Sequence, residues 1–392
     1  MRQITTSLLS IATLCLSAQS FQSLRTHPFE IDADKPEALE WLSEDLNRYN
    51  FICTSEFHRT ELAIAQYKQF ISFLLDNGGL DKLVMERPYA YGVWLTRYLE
   101  TGDETYLKVA TDRFWSFDKF RKEDKVAHDA YGLFNWLYAM LIENNKSLEV
   151  VVIDLDENRH ASLELWSMLH FIEKYQLHDH FPGSTPTLHE MVTKEDENSI
   201  ASLKKWMKHF ETEYSLKREV ISNSMGADFE LFDRIVQSLR DVCEYGNGNS
   251  QSSRDYREAV MLRNFRREVA PTDRVYAQFG FGHIATAPLS NKYTGFMAML
   301  QDDAPYAGRT LAINIHCIAC RVSTIPDAYI PYRQKEDGNY YYSDAAYSIA
   351  DGDLRHALFK HVSNQSTAID VRTAEGALKD LENQFQWMIL LF

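Results

Sequence analysis

Two short stretches place a histidine where a strand should give way to a helix. Ser55-Glu56-Phe57-His58 follows the apolar run Phe51–Thr54, and Gly280-Phe281-Gly282-His283 follows the run Arg274–Phe279. Histidine can take or supply a proton near neutral pH. A carboxylate behind it orients the ring and holds its charge, so Glu56 beside His58 is a candidate pair. A third strand end delivers Glu86 just before Arg87-Pro88, where the proline stops the strand. A fourth, VVVIDLDENR, delivers Asp154 and Asp156. Arg257, Met261 and Asn264 stand at i, i+4 and i+7 on one helix face. The guanidinium of Arg257 offers a fork of donors suited to a carboxylate or a developing oxyanion. Each residue also has a plainer duty: a histidine can simply start a helix, an acid can cap one, and Arg257 can form a surface ion pair.

The elements that must position these side chains follow from periodicity. Apolar runs at Phe51–Thr54, Leu83–Met85, Leu148–Ile153, Arg274–Phe279, Thr310–His316 and Trp387–Phe392 read as buried strands. Helix-period segments lie between them, ELAIAQYKQFISFLLDNGG among them, stopping at Gly78-Gly79. The alternation predicts an α/β fold: a mostly parallel central sheet flanked by helices. In such a sheet ligands sit beyond the carboxyl ends of the strands, where all four strand ends above can face one crevice. The helix carrying Arg257 precedes the Arg274–Phe279 strand and should run antiparallel to it, bringing Arg257 beside His283. Residues 158–249 are almost wholly helix-period and charged, which predicts a helical insertion subdomain. Tyr245–Asp255 reads as a polar linker, and Ile325–Asp353 as loops or a small edge hairpin.

Gly280-x-Gly282-x-x-Ala285 also fits the glycine pattern of a dinucleotide-binding turn. That turn needs an acid about 20 positions on, at the end of the next strand. Asp302 and Asp303 have the spacing but precede the Thr310–His316 strand, so the glycines read instead as space-makers beside His283.

Bulk properties narrow the partners. The chain has 392 residues and a net charge of −15, with no basic run, which argues against nucleic acid or an anionic membrane. Residues 1–20 have the layout of a secretory signal: Arg2, an apolar segment Leu8–Leu16, then Ala18-Gln19-Ser20. An exported protein, periplasmic or extracellular, is the expectation, with one domain over residues 21–392. No later segment approaches the ~20 apolar residues of an integral membrane span. Cys317 and Cys320 form one C-x-x-C, read as packing or a local disulfide before a metal half-site.

The order of these motifs carries a resemblance. Glu56-x-His58, Glu86 after the next strand, Arg257-Glu258-x-x-Met261-x-x-Asn264 and a strand ending in His283-Ile284 resemble the erythromycin esterase family. Trp94–Leu107 and the VVVIDLD strand are similar to that family's corresponding segments, and the likeness spans roughly residues 50–320. The resemblance implies hydrolysis of an ester, or a related acyl bond, in a small or medium-sized organic substrate. His58 would be the base that activates water, with Glu56, Glu86 and His283 as catalytic partners. Arg257, Arg59 and Asn264 would bind substrate, without a cofactor. No serine nucleophile is implied, in line with the absence of a G-x-S-x-G elbow. The chain departs from the family pattern at Ser55 and Arg59, where glycines are usual, and at Gly280, where a further histidine is often found. The G-x-x-H form at Gly280–His283 is also similar to Tiki-type metalloproteases. That likeness gives the alternative of a divalent metal held by His58, Glu86 and His283. A third possibility is a ligand-binding relative that kept the fold without the chemistry.

Overall fold

The computed structural model describes residues 24–56, 62–115, 125–155, 161–194, 199–246, 248, 250–288, 294–317, 332–334, 340–342, 358, 361–362, 365–375 and 384–391. Side chains at 112–115, 125–130, 317, 332–334 and 340–342 are excluded from the description. The leader-like segment, His58, Arg59, Asp156 and Cys320 lie outside the described residues. The chain divides into two compact units, Met1–Lys82 with Pro271–Phe392, and Leu83–Ala270.

The first unit holds the strands β1 (Arg25–Pro28), β2 (Phe51–Glu56), β5 (Val275–Gly280), β6 (Thr310–Cys317), β9 (Thr367–Asp370) and β10 (Trp387–Leu391). They run side by side as β1-β9-β10-β6-β2-β5. The pairs β10–β6, β6–β2 and β2–β5 are parallel, while β9 runs antiparallel to both β10 and β1. The centre is thus parallel as the sequence predicts, and the antiparallel edge makes the whole mixed. The short ladder β7 (Tyr332–Gln334) with β8 (Tyr340–Tyr342) is a separate antiparallel pair, within the segment expected to form loops or a hairpin. In β2 the residues Phe51, Ile52 and Cys53 are buried, as both faces of a central parallel strand must be.

The cover of β5 shows where this sheet opens. Side chains alternate along a strand, so Tyr276 and Phe279 point to opposite faces. Helix α1 (Leu62–Asn77) stacks Phe70 on Tyr276, with ring centroids 5.4 Å apart, and sets Tyr67 edge-on to it at 5.9 Å. On the other face Phe296 meets Phe279 edge-on at 5.7 Å. Each such aromatic pair adds roughly 0.5–1.5 kcal/mol beyond the area it buries. The segment after β2 therefore covers one face and the segment after β5 the other. Neighbouring parallel strands whose connections part in this way leave a crevice beyond their carboxyl ends.

The second unit contains the rest of β3 (Lys82–Met85), with β4 (Glu149–Val152) beside it, and most of the helices. Helices α2 (Tyr89–Thr101), α3 (Glu104–Trp115) and α4 (Lys125–Glu143) separate these strands in sequence. After β4 come α5 (Ser162–Lys174), α6 (Ser184–Thr193), α7 (Ile200–Met225), α8 (Phe229–Tyr245) and α9 (Gln251–Glu268). The predicted helical stretch 158–249 thus carries α5 to α8, with no strand among its described residues. The polar linker is short: Ser250 accepts from Ser253 N at 3.0 Å and caps the start of α9. Among the described residues no helix is long and apolar enough to cross a membrane.

Candidate active site

In the first unit the crevice rim is built by the last residues of β2 and β5. Glu56 lies opposite Gly280 in the parallel register, and Thr54 opposite Gln278. The chain leaves β5 through α10 (Phe281–Ile284), a single turn that carries His283, buried at 7% exposure. A one-turn helix differs from the long helix whose amino end cradles a dinucleotide phosphate. Gly295, the N-cap of α11 (Phe296–Gln301), is what lets the two helices meet. A Cβ there would collide with the Gly282 carbonyl oxygen and stand 3.4 Å from His283 Cα.

Below Glu56 the α1 face of the sheet is polar and buried. Gln66 of α1 donates from Nε2 to Thr54 Oγ1 at 2.9 Å and to the Ser55 carbonyl at 3.1 Å. The Thr54 and Tyr276 hydroxyls are 3.0 Å apart, and Tyr67 Oη donates to the Gln278 carbonyl at 3.4 Å. Burial pushes the Tyr276 phenol far above its ordinary range, so it stays neutral as a hydrogen-bonding group. These bonds anchor the end of β2 just before Glu56. Cys53, one step further down, is fully buried, and desolvation raises its thiol to about 12, which makes it inert.

The second unit assembles a different cluster. Ile153 N donates to Met85 O and Asp154 N to Arg87 O, both at 3.2 Å, so Glu86 and Asp154 emerge together. Arg257 of α9 meets both acids. Its Nε donates to Asp154 Oδ1 at 2.9 Å, and one terminal nitrogen donates to Asp154 Oδ2 at 2.5 Å and Glu86 Oε1 at 2.7 Å. The side chains of Arg257, Glu86 and Asp154 are only 13%, 10% and 5% exposed. A forked, charge-assisted contact of this kind fixes the guanidinium plane as a point charge would not. Asn264, two turns on, donates Nδ2 to the Ile153 carbonyl at 2.9 Å, and Met261 between them is fully buried. The i, i+4, i+7 face predicted for this helix is present, and it meets the end of β4, a neighbour that the spacing had not named. Asn264 thereby steadies the backbone that carries Asp154. A narrow polar cleft beside the cluster is lined by Asp154, Tyr89, Arg234, Gln237, Asp241 and Asn264, among others.

The structure thus joins Glu86, Asp154, Arg257 and Asn264 in one unit, and sets Glu56 and His283 on β2 and the turn after β5 in the other. Sequence reasoning weighed Asp154 without assigning it a partner; its forked bond to Arg257 is the new fact. It missed Asn314 and His316, polar residues two apart inside the β6 run, whose shared strand face was the available signal. Among the described residues no three His, Cys, Asp or Glu side chains gather as a metal site. His58, required by the alternative metal set, lies outside those residues.

No protein-family model and no curated protein matches the chain. Solved structures do. An erythromycin esterase variant in its open conformation aligns with TM-score 0.66 at 15% identity, over 94% of this chain and 97% of that one. A Bacillus cereus protein from a structural-genomics programme aligns with TM-score 0.64 at 12% identity, over 96% of each chain. A succinoglycan biosynthesis protein aligns with TM-score 0.63 at 14% identity, again over 96% of each. At such low identity the likeness concerns the fold, and over nearly its whole length this chain has an erythromycin-esterase-like α/β fold.

Proposed function

We propose that the protein is an exported hydrolase that cleaves an ester, or a related acyl bond, of a small or medium-sized organic substrate without a cofactor. The observation that carries this reading is that the chain leaves the parallel neighbours β2 and β5 toward opposite faces of the sheet, an arrangement that opens a ligand crevice beyond their carboxyl ends. Glu56 and Gly280 are paired side by side at those ends, and His283 is held in the turn that follows Gly280. His58 follows Glu56 by two residues and serves as the base. Its imidazole takes a proton from water as the water oxygen bonds to the acyl carbon. The tetrahedral intermediate then expels the alcohol, which regains a proton from the imidazolium. Glu56 orients and stabilises the charged ring, the role of a carboxylate behind a histidine base. Arg257, held flat by Asp154 and Glu86, is a fixed cation suited to a substrate oxygen that bears negative charge.

The test is a hydrolysis screen across esters and lactones, with His58→Ala beside the wild type. Turnover by the wild type and its loss in the variant is the outcome this reading requires. A folded wild type that binds a ligand of the panel yet turns over none would replace it with the non-catalytic alternative.

A further inference from the structure

The ladders on the two sides of β2 end at different heights. Pairing with β5 continues through Glu56↔Gly280, whereas pairing with β6 stops at Thr54↔Ile313. Where the β6 ladder should continue, a side chain takes over. Ile315 N donates to Ser55 Oγ at 2.6 Å, and that hydroxyl lies 3.2 Å from Ile315 O and 3.1 Å from Asn314 Oδ1. Asn314 Nδ2 in turn lies 2.9 Å from His316 Nε2. An amide NH2 group only donates, so the ring nitrogen accepts, and the imidazole carries its proton on Nδ1. Ser55, Asn314 and His316 are 1%, 1% and 3% exposed. Ser55 is opposite in parity to Thr54 and Glu56, so this chain runs on the face of β2 away from α1.

A hydroxyl in place of a ladder carbonyl gives β2 a side-chain clasp to β6 one residue before Glu56. Gln66 fastens the same peptide from the other face, through the Ser55 carbonyl. The residue that must hold still is therefore gripped on both faces of the sheet. Burial explains why the clasp uses a neutral relay: three uncharged groups satisfy one another without the desolvation cost of an ion.

We infer that His316 is a positioning residue of the proposed hydrolytic site, acting through Asn314 and Ser55 to fix the end of β2, whose last residue, Glu56, precedes His58 by two positions in the sequence. The inference rests on the functional reading above. His316 touches no reacting atom in this scheme. Its duty is to keep the Asn314 amide aimed at the Ser55 hydroxyl.

The test uses the full chain with Ser55→Ala, Ser55→Thr, His316→Ala and His316→Gln, on whichever ester the wild type hydrolyses. Displacing a base by a fraction of an ångström costs rate rather than affinity. Ser55→Ala and His316→Ala should therefore lower kcat roughly 10- to 100-fold with KM within about twofold. Ser55→Thr keeps the hydroxyl, and His316→Gln offers an amide oxygen to Asn314 Nδ2, so both should recover most of kcat. Equal losses in the conservative and alanine variants, or kcat within about twofold of wild type in both alanine variants, would overturn the assignment. Amide hydrogen exchange at Glu56 gives a readout that needs no substrate. It should accelerate in the alanine variants and not in the conservative ones, while exchange along Val275–Phe279 stays unchanged. Unchanged Glu56 exchange refutes the clasp even if the protein hydrolyses no ester. Faster exchange in an inactive wild-type background leaves the clasp standing and removes the hydrolase. Where an alanine variant does not fold, the conservative pair decides: loss of kcat in both overturns the inference.

Discussion

Arg257 lies against Asp154 in a forked contact, Nε on Oδ1 at 2.9 Å and a terminal nitrogen on Oδ2 at 2.5 Å. The same terminal nitrogen reaches Glu86 Oε1 at 2.7 Å, so two strand ends and one helix share a single cation. Two acids around one arginine, nearly all desolvated, form a cluster whose members are costly to remove singly.

Asp154→Ala should destabilise the protein by roughly 3 kcal/mol, because it strips a nearly buried guanidinium of its forked partner. Chemical denaturation checks the figure. Arg257→Lys should be nearly as harmful to substrate binding as its removal, since an ammonium cannot span both Asp154 oxygens. The expected signature is a raised KM.

Gly295→Ala should disturb the turn that carries His283, because the new Cβ meets the Gly282 carbonyl oxygen, a backbone atom with little freedom to move. A loss of roughly 1–3 kcal/mol is expected from the forced contact, read from thermal or denaturant unfolding. Activity should fall beyond what the loss of folded protein explains.

His316 sets a pH dependence of stability. Burial lowers its pKa from 6.5 to about 4, so the folded state resists a proton that the unfolded chain accepts. The stabilisation is complete above about pH 6.5 and is lost as pH falls toward about 4, on the order of 3 kcal/mol in all. Unfolding free energy measured from pH 7 to pH 4 should fall less steeply in His316→Gln than in the wild type. Parallel slopes would mean that other groups carry the acid limb.

Much of the frame was legible because buried parallel strands announce themselves. FICT, KLVM, EVVV, VYAQFG and TLAINIHC are short apolar runs bounded by breakers, and each forms a strand. The antiparallel edge was not legible. RTHP in β1 is exposed or half-exposed and has no alternation to read, so only its pairing with β9 makes it a strand. That Arg257 and Asn264 share one helix face was legible from their spacing; that this face meets the end of β4 was not, since the sequence reading set Arg257 beside His283 instead. The duty of Asp154 was not legible either, since two acids two residues apart after a strand read alike until a partner appears; Asp154 has its partner in Arg257, and Asp156 lies outside the described residues. Asn314 and His316 were hidden for a related reason. Inside an apolar run they counted as core, and only the break in the β2–β6 ladder gives them a duty.

In the proposed reaction His58 activates the attacking water, and kcat/KM of His58→Ala against wild type on one hydrolysed ester measures that role directly. A general base of this kind contributes about 10²–10⁴-fold, so a fall of that size is predicted with an unchanged unfolding midpoint. A folded His58→Ala enzyme that keeps the wild-type rate would mean that His58 is not the base.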